Sequence, residues 1–264
     1  MNKDRELDQF YTNPEYAKQV LNTLNIEDYD YILEPSVGTG SFYNLLDPNK
    51  RIGVDIDPKI DDVLTMDFLK YYPPIFSRIY TVGNPPFGKN SSLAVKFFNH
   101  ASQFSDTIAF ILPRTFRKDS IINSLDPYFH LVSDIDVPKN SFIFKGEVYD
   151  VPCCFQIWEK RNIKRERKVI YKLSDLKEYF ERVDPELADF SIQRVGYNAG
   201  KILTSNFHHY SPENFYFIKA HKDFVLDVFR QIDFKEVKSN TAGFPSVSPS
   251  ELVHLYIKHG GLKS

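Results

Sequence analysis

The sequence predicts an α/β protein: a mostly parallel, seven-stranded sheet with helices on both faces, followed by a small C-terminal α+β region. Three observations predict it. Short apolar runs of strand length alternate with helix-period segments through the first 160 residues. Turn residues, chiefly Gly, Pro and Asp, punctuate the ends of those runs. From residue 159 the composition changes: residues 159–172 carry seven basic and two acidic side chains, and the pattern beyond them is irregular.

The elements follow in order. Tyr16, Ala17, Val20, Leu21 and Leu24 share one helical face, and Thr12-Asn13-Pro14-Glu15 before them reads as a helix start with capping-box spacing. Residues 31–34 form a short buried strand that runs into a Gly-containing turn, 35–40, and a short helix. Further strands are predicted at 51–55, near 63–66, and at 79–83, 107–112, 131–136 and 151–158, with a helix at 93–101. No helix pattern separates the last two strands, so an antiparallel hairpin at one sheet edge is expected. Downstream, a charged helix is expected near 173–182, an aromatic stretch at 207–218, a helix at 222–232 and a Ser/Pro-rich segment at 239–250. The predicted division is a domain of residues 1–160 and a basic C-terminal region of 161–264.

No run of about 18 apolar residues occurs, so no membrane span is expected. Residues 1–12 lack the apolar core of a signal peptide, which points to the cytoplasm. Cys153 and Cys154 are adjacent in an apolar run. Strand neighbours point to opposite faces, so the pair reads as two small buried hydrophobes in a reducing compartment. The seven histidines show no metal-ligand spacing, and no metal is expected. The net charge of −2 divides into −6 over residues 1–158 and +4 over 159–264. That asymmetry fits chemistry in front and anion binding behind. Lysines and arginines of 160–172, with Arg194, Lys201 and Lys219, are candidate phosphate contacts. Tyr197, Phe207, Tyr210, Phe215, Tyr216 and Phe217 are either stacking residues or core.

Four segments carry candidate chemistry. Residues 33–42 (LEPSVGTGSF) run from a strand into a turn with Gly38 and Gly40, where backbone can approach a ligand closely. A dinucleotide fingerprint needs a third Gly where Tyr43 stands, and Glu34 suits a cationic group better than a pyrophosphate. Asp55, at the end of the 51–55 strand, is placed to accept from two ribose hydroxyls. Asp67 and Phe68 form a third piece, an acceptor beside a ring. The fourth is Asn84-Pro85-Pro86-Phe87. Two prolines stiffen this loop and remove two donors. The Asn84 side-chain oxygen and the Pro85 carbonyl remain as acceptors. An amino group conjugated to an aromatic ring is a poor nucleophile. One acceptor for each of its N–H bonds holds the nitrogen nearer tetrahedral and aims its lone pair at an electrophile. Phe87 is placed to stack on the acceptor ring, a contact worth roughly 1–3 kcal/mol.

The order of these segments resembles the amino-methyltransferases of DNA and RNA. Their shared signature, Asn/Asp/Ser-Pro-Pro-aromatic, is matched by Asn84-Pro85-Pro86-Phe87, and their Gly-rich turn by residues 34–40. Phe10-Tyr11-Thr12-Asn13-Pro14 is similar to the segment that caps the cofactor's methionine end in the gamma-class adenine-N6 DNA enzymes. The resemblance covers roughly residues 8–158. It implies a Rossmann-like fold, S-adenosyl-L-methionine as cofactor, and N6 of adenine in nucleic acid as the acceptor, DNA before RNA, with the base flipped from its stack. It implies that Thr12, Glu34, Gly38 and Gly40 hold the methionine end, Asp55 the ribose, and Ile56, Asp67 and Phe68 the adenine. Asn84, Pro85 and Phe87 would position the target base, with Phe142 or Phe144 as a second aromatic facing it. A restriction-modification setting fits the resemblance; a partner nuclease or protein subunit is not determined by sequence. Ribosomal RNA adenosine methyltransferases share Asn-Pro-Pro-Phe-Gly, cytosine-N4 transfer uses the same geometry, and enzymes methylating protein glutamine at N5 use Asn-Pro-Pro-Tyr. An NAD oxidoreductase is disfavoured by Tyr43 and by the Pro-Pro loop.

Overall fold

The structure, a computed structural model, describes residues 10–74, 77–241 and 243–262. The signal-peptide reading of residues 1–9 lies outside them. The chain divides into two compact units, Met1–Arg167 and Lys168–Ser264.

In the first unit, β1 (Tyr11–Thr12) leads into α1 (Pro14–Leu21). Asn13, not Thr12, is the N-cap of α1. Its side chain accepts from the Glu15 N–H, and Pro14 fills the first helical position, where no donor is needed. The main sheet is built from β2 (Tyr31–Glu34), β3 (Arg51–Asp55), β4 (Leu64–Thr65), β5 (Ile79–Gly83), β6 (Thr107–Pro113), β7 (Phe129–Asp136) and β10 (Cys153–Lys160). Its order is β4-β3-β2-β5-β6-β10-β7. The pairs β4·β3, β3·β2, β2·β5 and β5·β6 are parallel, whereas β10 runs antiparallel to both β6 and β7. The fold is therefore Rossmann-like and mostly parallel, with the expected antiparallel hairpin at one edge. It departs from the dinucleotide order 3-2-1-4-5-6 by the insertion of the last strand between the fifth and sixth.

Alternation along the strands builds two cores, one on each face. On β6, Ile108, Phe110 and Leu112 join one cluster, while Ala109 and Ile111 join the other. The first cluster is covered by α2 (Ser92–Ala101) through Ala94, Phe97, Phe98 and Ala101; the second by α1 through Tyr16, Ala17 and Val20. Cys153 and Cys154 follow the same rule: both are buried and unpaired, one in each core. Burial raises both thiols, Cys154 to about 12, so neither is poised as a nucleophile. The short helix expected after the Gly turn is a single 3-10 turn at Tyr43–Leu45.

Two further strands, β8 (Phe142–Phe144) and β9 (Glu147–Tyr149), complete a three-stranded antiparallel sheet with β1, in the order β1-β8-β9. Thr12 pairs with Phe142 and Tyr11 with Ile143. This sheet lashes the start of the chain to a loop about 130 residues later, a non-local pairing that no sequence period announces.

The second unit contains β11 (Phe180–Arg182), β12 (Phe190–Gln193), β13 (Ile202–Leu203) and β14 (Phe215–Ala220), all antiparallel in the order β11-β14-β12-β13. Helices α3 (Val225–Gln231), α4 (Lys235–Lys238) and α5 (Pro249–Lys258) share a core with one sheet face through Val228, Phe229, Val237, Leu252 and Tyr256. The region is α+β, as expected. The charged helix expected at 173–182 is instead a 3-10 turn, Leu173–Leu176, followed by β11. Here pairing of Phe180 with Ala220 overrides a helical apolar spacing.

The basic run divides in the structure. Arg165 is no free phosphate contact. Its guanidinium donates to the carbonyls of Asp126 (2.5 Å), Phe129 (2.7 Å), Leu125 (2.8 Å) and Ile122, and lies 5.5 Å from the centre of the Trp158 ring. Desolvation lowers its affinity for a proton, the mark of a cation held inside the fold. The unit Lys168–Ser264 holds thirteen Lys and Arg against twelve Asp and Glu, so most of the basic excess precedes it.

A fork of four carbonyl bonds can be made by a guanidinium and not by an ammonium. Arg165→Ala is expected to lower unfolding stability by about 2–3 kcal/mol, and Arg165→Lys to recover less than half of it. Urea titrations check this; an Arg165→Lys protein as stable as wild type contradicts it.

Candidate active site

The parallel strands deliver their carboxyl ends to one edge of the sheet. There Glu34 ends β2, Asp55 ends β3, and Asn84 follows Gly83 at the end of β5. Together with Phe10–Thr12 from the small sheet they line a cavity of about 320 Å³, a size suited to a small organic ligand. Of the residues singled out in sequence, Thr12, Glu34, Gly38, Asp55, Ile56, Asp67, Phe68 and Asn84 lie on its wall.

Gly38 takes φ +53°, and a Cβ there would stand 2.8 Å from the Tyr11 ring. The turn and the β1 ring therefore close on each other only because residue 38 has no side chain. The Gly38 N–H donates to Asp55 Oδ2 (2.7 Å), and the Asp57 N–H donates to Asp55 Oδ1 (2.7 Å). Both carboxylate oxygens are thus oriented by backbone, and each keeps a lone pair for a ligand hydroxyl. Ile56, beside it, is 62% exposed, an apolar surface at the rim. Asp67 Oδ1 caps a turn by accepting from the Leu69 N–H (3.0 Å). Phe68 is buried against Phe97, His100 and Phe104.

Glu34 is 2% exposed, and among the described residues its Oε2 has no hydrogen-bond partner. Burial raises its pKa well above the ordinary value; a backbone N–H bond from Tyr43 works the other way, and the nearby Asp55 charge adds to the rise. A buried acceptor left unpaired at a cavity wall costs stability unless a ligand supplies the donor.

Asn84 is held from two sides. Its Nδ2 donates to the Phe10 carbonyl (2.8 Å), and its own carbonyl accepts from Ser36 Oγ (3.0 Å). Because Phe10 offers only an acceptor, the amide orientation is fixed and Oδ1 is left as the free acceptor at the cavity. Among the described residues no N–H donates to the Pro85 carbonyl. The strap that carries Phe10 is fastened by Ser41 Oγ, which donates to the Thr12 carbonyl (2.6 Å), and by the Asn13 N–H, which donates to the Ser141 carbonyl (2.8 Å).

Four of the singled-out residues stand behind the wall. Gly40 packs against Asn44 and Ile60. Pro85 is buried. Phe87 is half-buried between the two cores, and its carbonyl accepts from the Leu93 and Ala94 N–H groups at the start of α2. Phe142 is 1% exposed and belongs to the core. Phe144 differs: its ring stacks on Phe10 at 4.9 Å, with Tyr149 beside both at 5.3 and 6.0 Å. Sequence left Phe142 and Phe144 undivided, and burial separates them. It missed Ser36 and the Phe10 carbonyl, because a hydrogen bond between residues 74 apart leaves no periodic signal.

No sequence family matches the chain, and no curated protein matches it. Solved structures do. An RNA methyltransferase of Pyrococcus horikoshii, so described provisionally, is 16% identical over 55% of this chain and 81% of its own, with a TM-score of 0.43. The 23S rRNA methyltransferase ErmE is 15% identical over 94% of this chain and 98% of its own, at 0.40. A modification subunit provisionally assigned to a type I restriction enzyme of Vibrio vulnificus is 12% identical over 94% of this chain and 61% of its own, at 0.42.

The Glu34 carboxyl keeps its proton to higher pH folded than unfolded. The folded state then binds more protons between the ordinary value of 4.5 and the raised one, so stability falls as pH rises through that window and is flat above it. Glu34→Gln is expected to remove this slope. Urea unfolding of the ligand-free protein across that range checks it, and parallel curves for wild type and variant contradict it.

Proposed function

We propose that the protein is an S-adenosyl-L-methionine-dependent methyltransferase acting on N6 of adenine in nucleic acid, DNA in preference to RNA, on a base rotated out of its stack. The observation that carries this reading is the Asn84 amide, pinned by the Phe10 carbonyl so that a neutral acceptor, not a base, borders the cavity.

The cavity suits the cofactor at three points. The unpaired Glu34 oxygen would meet the ammonium of its amino-acid end, at the turn where Gly38 and Thr12 also stand. The oriented Asp55 carboxylate would accept from the ribose hydroxyls. Ile56 and Asp67, with the buried Phe68, would take the adenine ring. When bound, the cofactor supplies a methyl group on a sulfonium, an electrophile whose departing thioether is neutral.

The rest falls to the chain. Asn84 Oδ1 would accept one N–H bond of the target amino group. The Pro85 carbonyl, which stands behind the cavity wall and accepts from no described N–H, would take the other once a bound base reaches past that wall, freeing the lone pair from the ring. No strong base is needed before transfer, and an amide suffices. Phe10, which lines the cavity and whose carbonyl holds Asn84, stacks on Phe144, and this pair would support the base in place of Phe87, which is packed between the cores. Rotation of a paired base costs a few kcal/mol, and stacking offsets part of it. Preference for DNA rests on the second compact unit, residues 168–264, which lies outside the sheet that carries the site.

Labelled cofactor tests the reading. The protein is incubated with duplex DNA, single-stranded DNA, total RNA and cell protein, and the methylated unit is identified after digestion. N6-methyladenine in DNA is expected. Asn84→Ala is expected to lower transfer by at least about a hundredfold, comparable to the loss of one preorganised polar group, while cofactor binding is kept. Label in RNA alone reassigns the substrate, and label in protein alone overturns the nucleic-acid reading.

A further inference from the structure

The two most exposed large apolar side chains among the described residues are Tyr197 (86%) and Phe244 (84%). They lie on adjacent segments of the second unit. Val195 and Ser246 form an isolated antiparallel bridge, and the Gly196 N–H donates to the Pro245 carbonyl (2.8 Å), so each aromatic stands two residues from the bridge. A single exposed ring is ordinary for a protein surface. A pair held out side by side by a built scaffold is not.

The scaffold is specific. The Gly200 N–H closes the loop onto the Gln193 carbonyl (2.7 Å) with φ +93°, and a Cβ at Gly200 would meet Phe234 at 2.4 Å. The loop is therefore seated on the buried Phe234 ring, and Tyr197 is the side chain it projects. Across the bridge, Thr241 Oγ1 donates to the carbonyls of Gly243 (3.2 Å) and Phe244 (3.1 Å) and holds the turn that presents Phe244. Lys238 ties the two together. Its Nζ donates to the Tyr197 carbonyl (3.1 Å) and lies 5.7 Å from the centre of the Tyr197 ring, and its own carbonyl accepts from the Ser246 N–H (3.0 Å).

Charge gathers at the same place. The unit as a whole is nearly balanced, yet residues 194–201 and 235–246 hold four basic side chains against one acidic. The acidic one, Glu236, is spent on Lys258 (2.6 Å), and Arg194 is spent on the Glu213 carbonyl (2.9 Å). Lys238 lies beside the Tyr197 ring, and Lys201 and Lys235 belong to the same two segments. Flat aromatic faces set among lysines match the chemistry of bases on a phosphate strand.

We propose that Tyr197 and Phe244, with Lys238, form a stacking platform for unpaired bases of a nucleic-acid strand. The proposal rests on nucleic acid being the substrate and assigns where the second unit grips it. A polar or acidic protein surface would find charge here but no use for two open rings.

The test is anisotropy of a labelled, unstructured single strand, as DNA and as RNA, with the full-length protein. Tyr197→Ala and Phe244→Ala are each expected to weaken binding about tenfold, and the double variant more than either. Tyr197→Phe and Phe244→Tyr keep the rings and are expected to bind as wild type. Lys238→Ala is expected to shallow the salt dependence by about one counterion. Both rings are solvent-exposed, so melting temperature and cofactor binding stay unchanged. Alanine variants that bind as wild type overturn the platform, as does equal binding to an abasic strand, which offers phosphates without bases. Methylation of a short adenine acceptor, run in parallel, separates the two failures. Transfer without ring-dependent binding sinks the platform alone, whereas ring-dependent binding without transfer sinks the methyltransferase reading alone.

Discussion

One hydrogen bond organises the site: Asn84 Nδ2 to the carbonyl of Phe10. A free asparagine side chain presents donor or acceptor with nearly equal ease, and a site built on it would be chemically ambiguous. The Phe10 carbonyl removes that ambiguity, since it can only accept. Everything that fixes Phe10 therefore fixes the chemistry at residue 84: the pairing of β1 with β8, the Ser41 bond to Thr12, and the Asn13 bond to Ser141. The same strap lays Tyr11 over Gly38. The wall of the cavity and the orientation of its polar group are thus one construction.

The sheet supplies the other half. Parallel strands must share a carboxyl edge, so Glu34, Asp55 and Asn84 converge though they are widely spaced in sequence. Burial then gives these groups different characters. Asp55 is answered by two backbone N–H groups, while Glu34 is buried and keeps one oxygen unanswered among the described residues. A buried carboxyl oxygen with no partner costs stability, and a cationic ligand in the cavity would offset that cost.

The main sheet was legible because buried parallel strands are continuous apolar runs ended by turn residues, as 31–34, 51–55 and 79–83 are. The motif at 84–87 was legible because its Pro-Pro pair is flanked by Asn84 and Phe87 directly after a strand, a context that Pro73-Pro74 lacks. The small sheet was not, since its strands are two or three residues long and exist only through pairing across the chain. The helix at Pro249–Lys258 was missed: its Ser248–Glu251 capping box lies at the end of a segment whose Ser/Pro content reads as a loop. At 173–182 the spacing Leu173, Leu176, Phe180 imitates a helix face, and partner β14 decides otherwise. Arg165 shows the limit of charge reading: in sequence it is one more cation of a basic run, whereas in the fold four carbonyls claim it.

The orientation of the Asn84 amide can be seen directly. A crystal structure of the protein with an unreactive cofactor analogue and an adenine-containing oligonucleotide tests it most directly. The account predicts the target amino nitrogen within hydrogen-bond distance of Asn84 Oδ1 and the Pro85 carbonyl, with Asn84 Nδ2 still donating to Phe10. An adenine bound elsewhere, or an Asn84 amide turned so that its nitrogen faces the ligand, would contradict it.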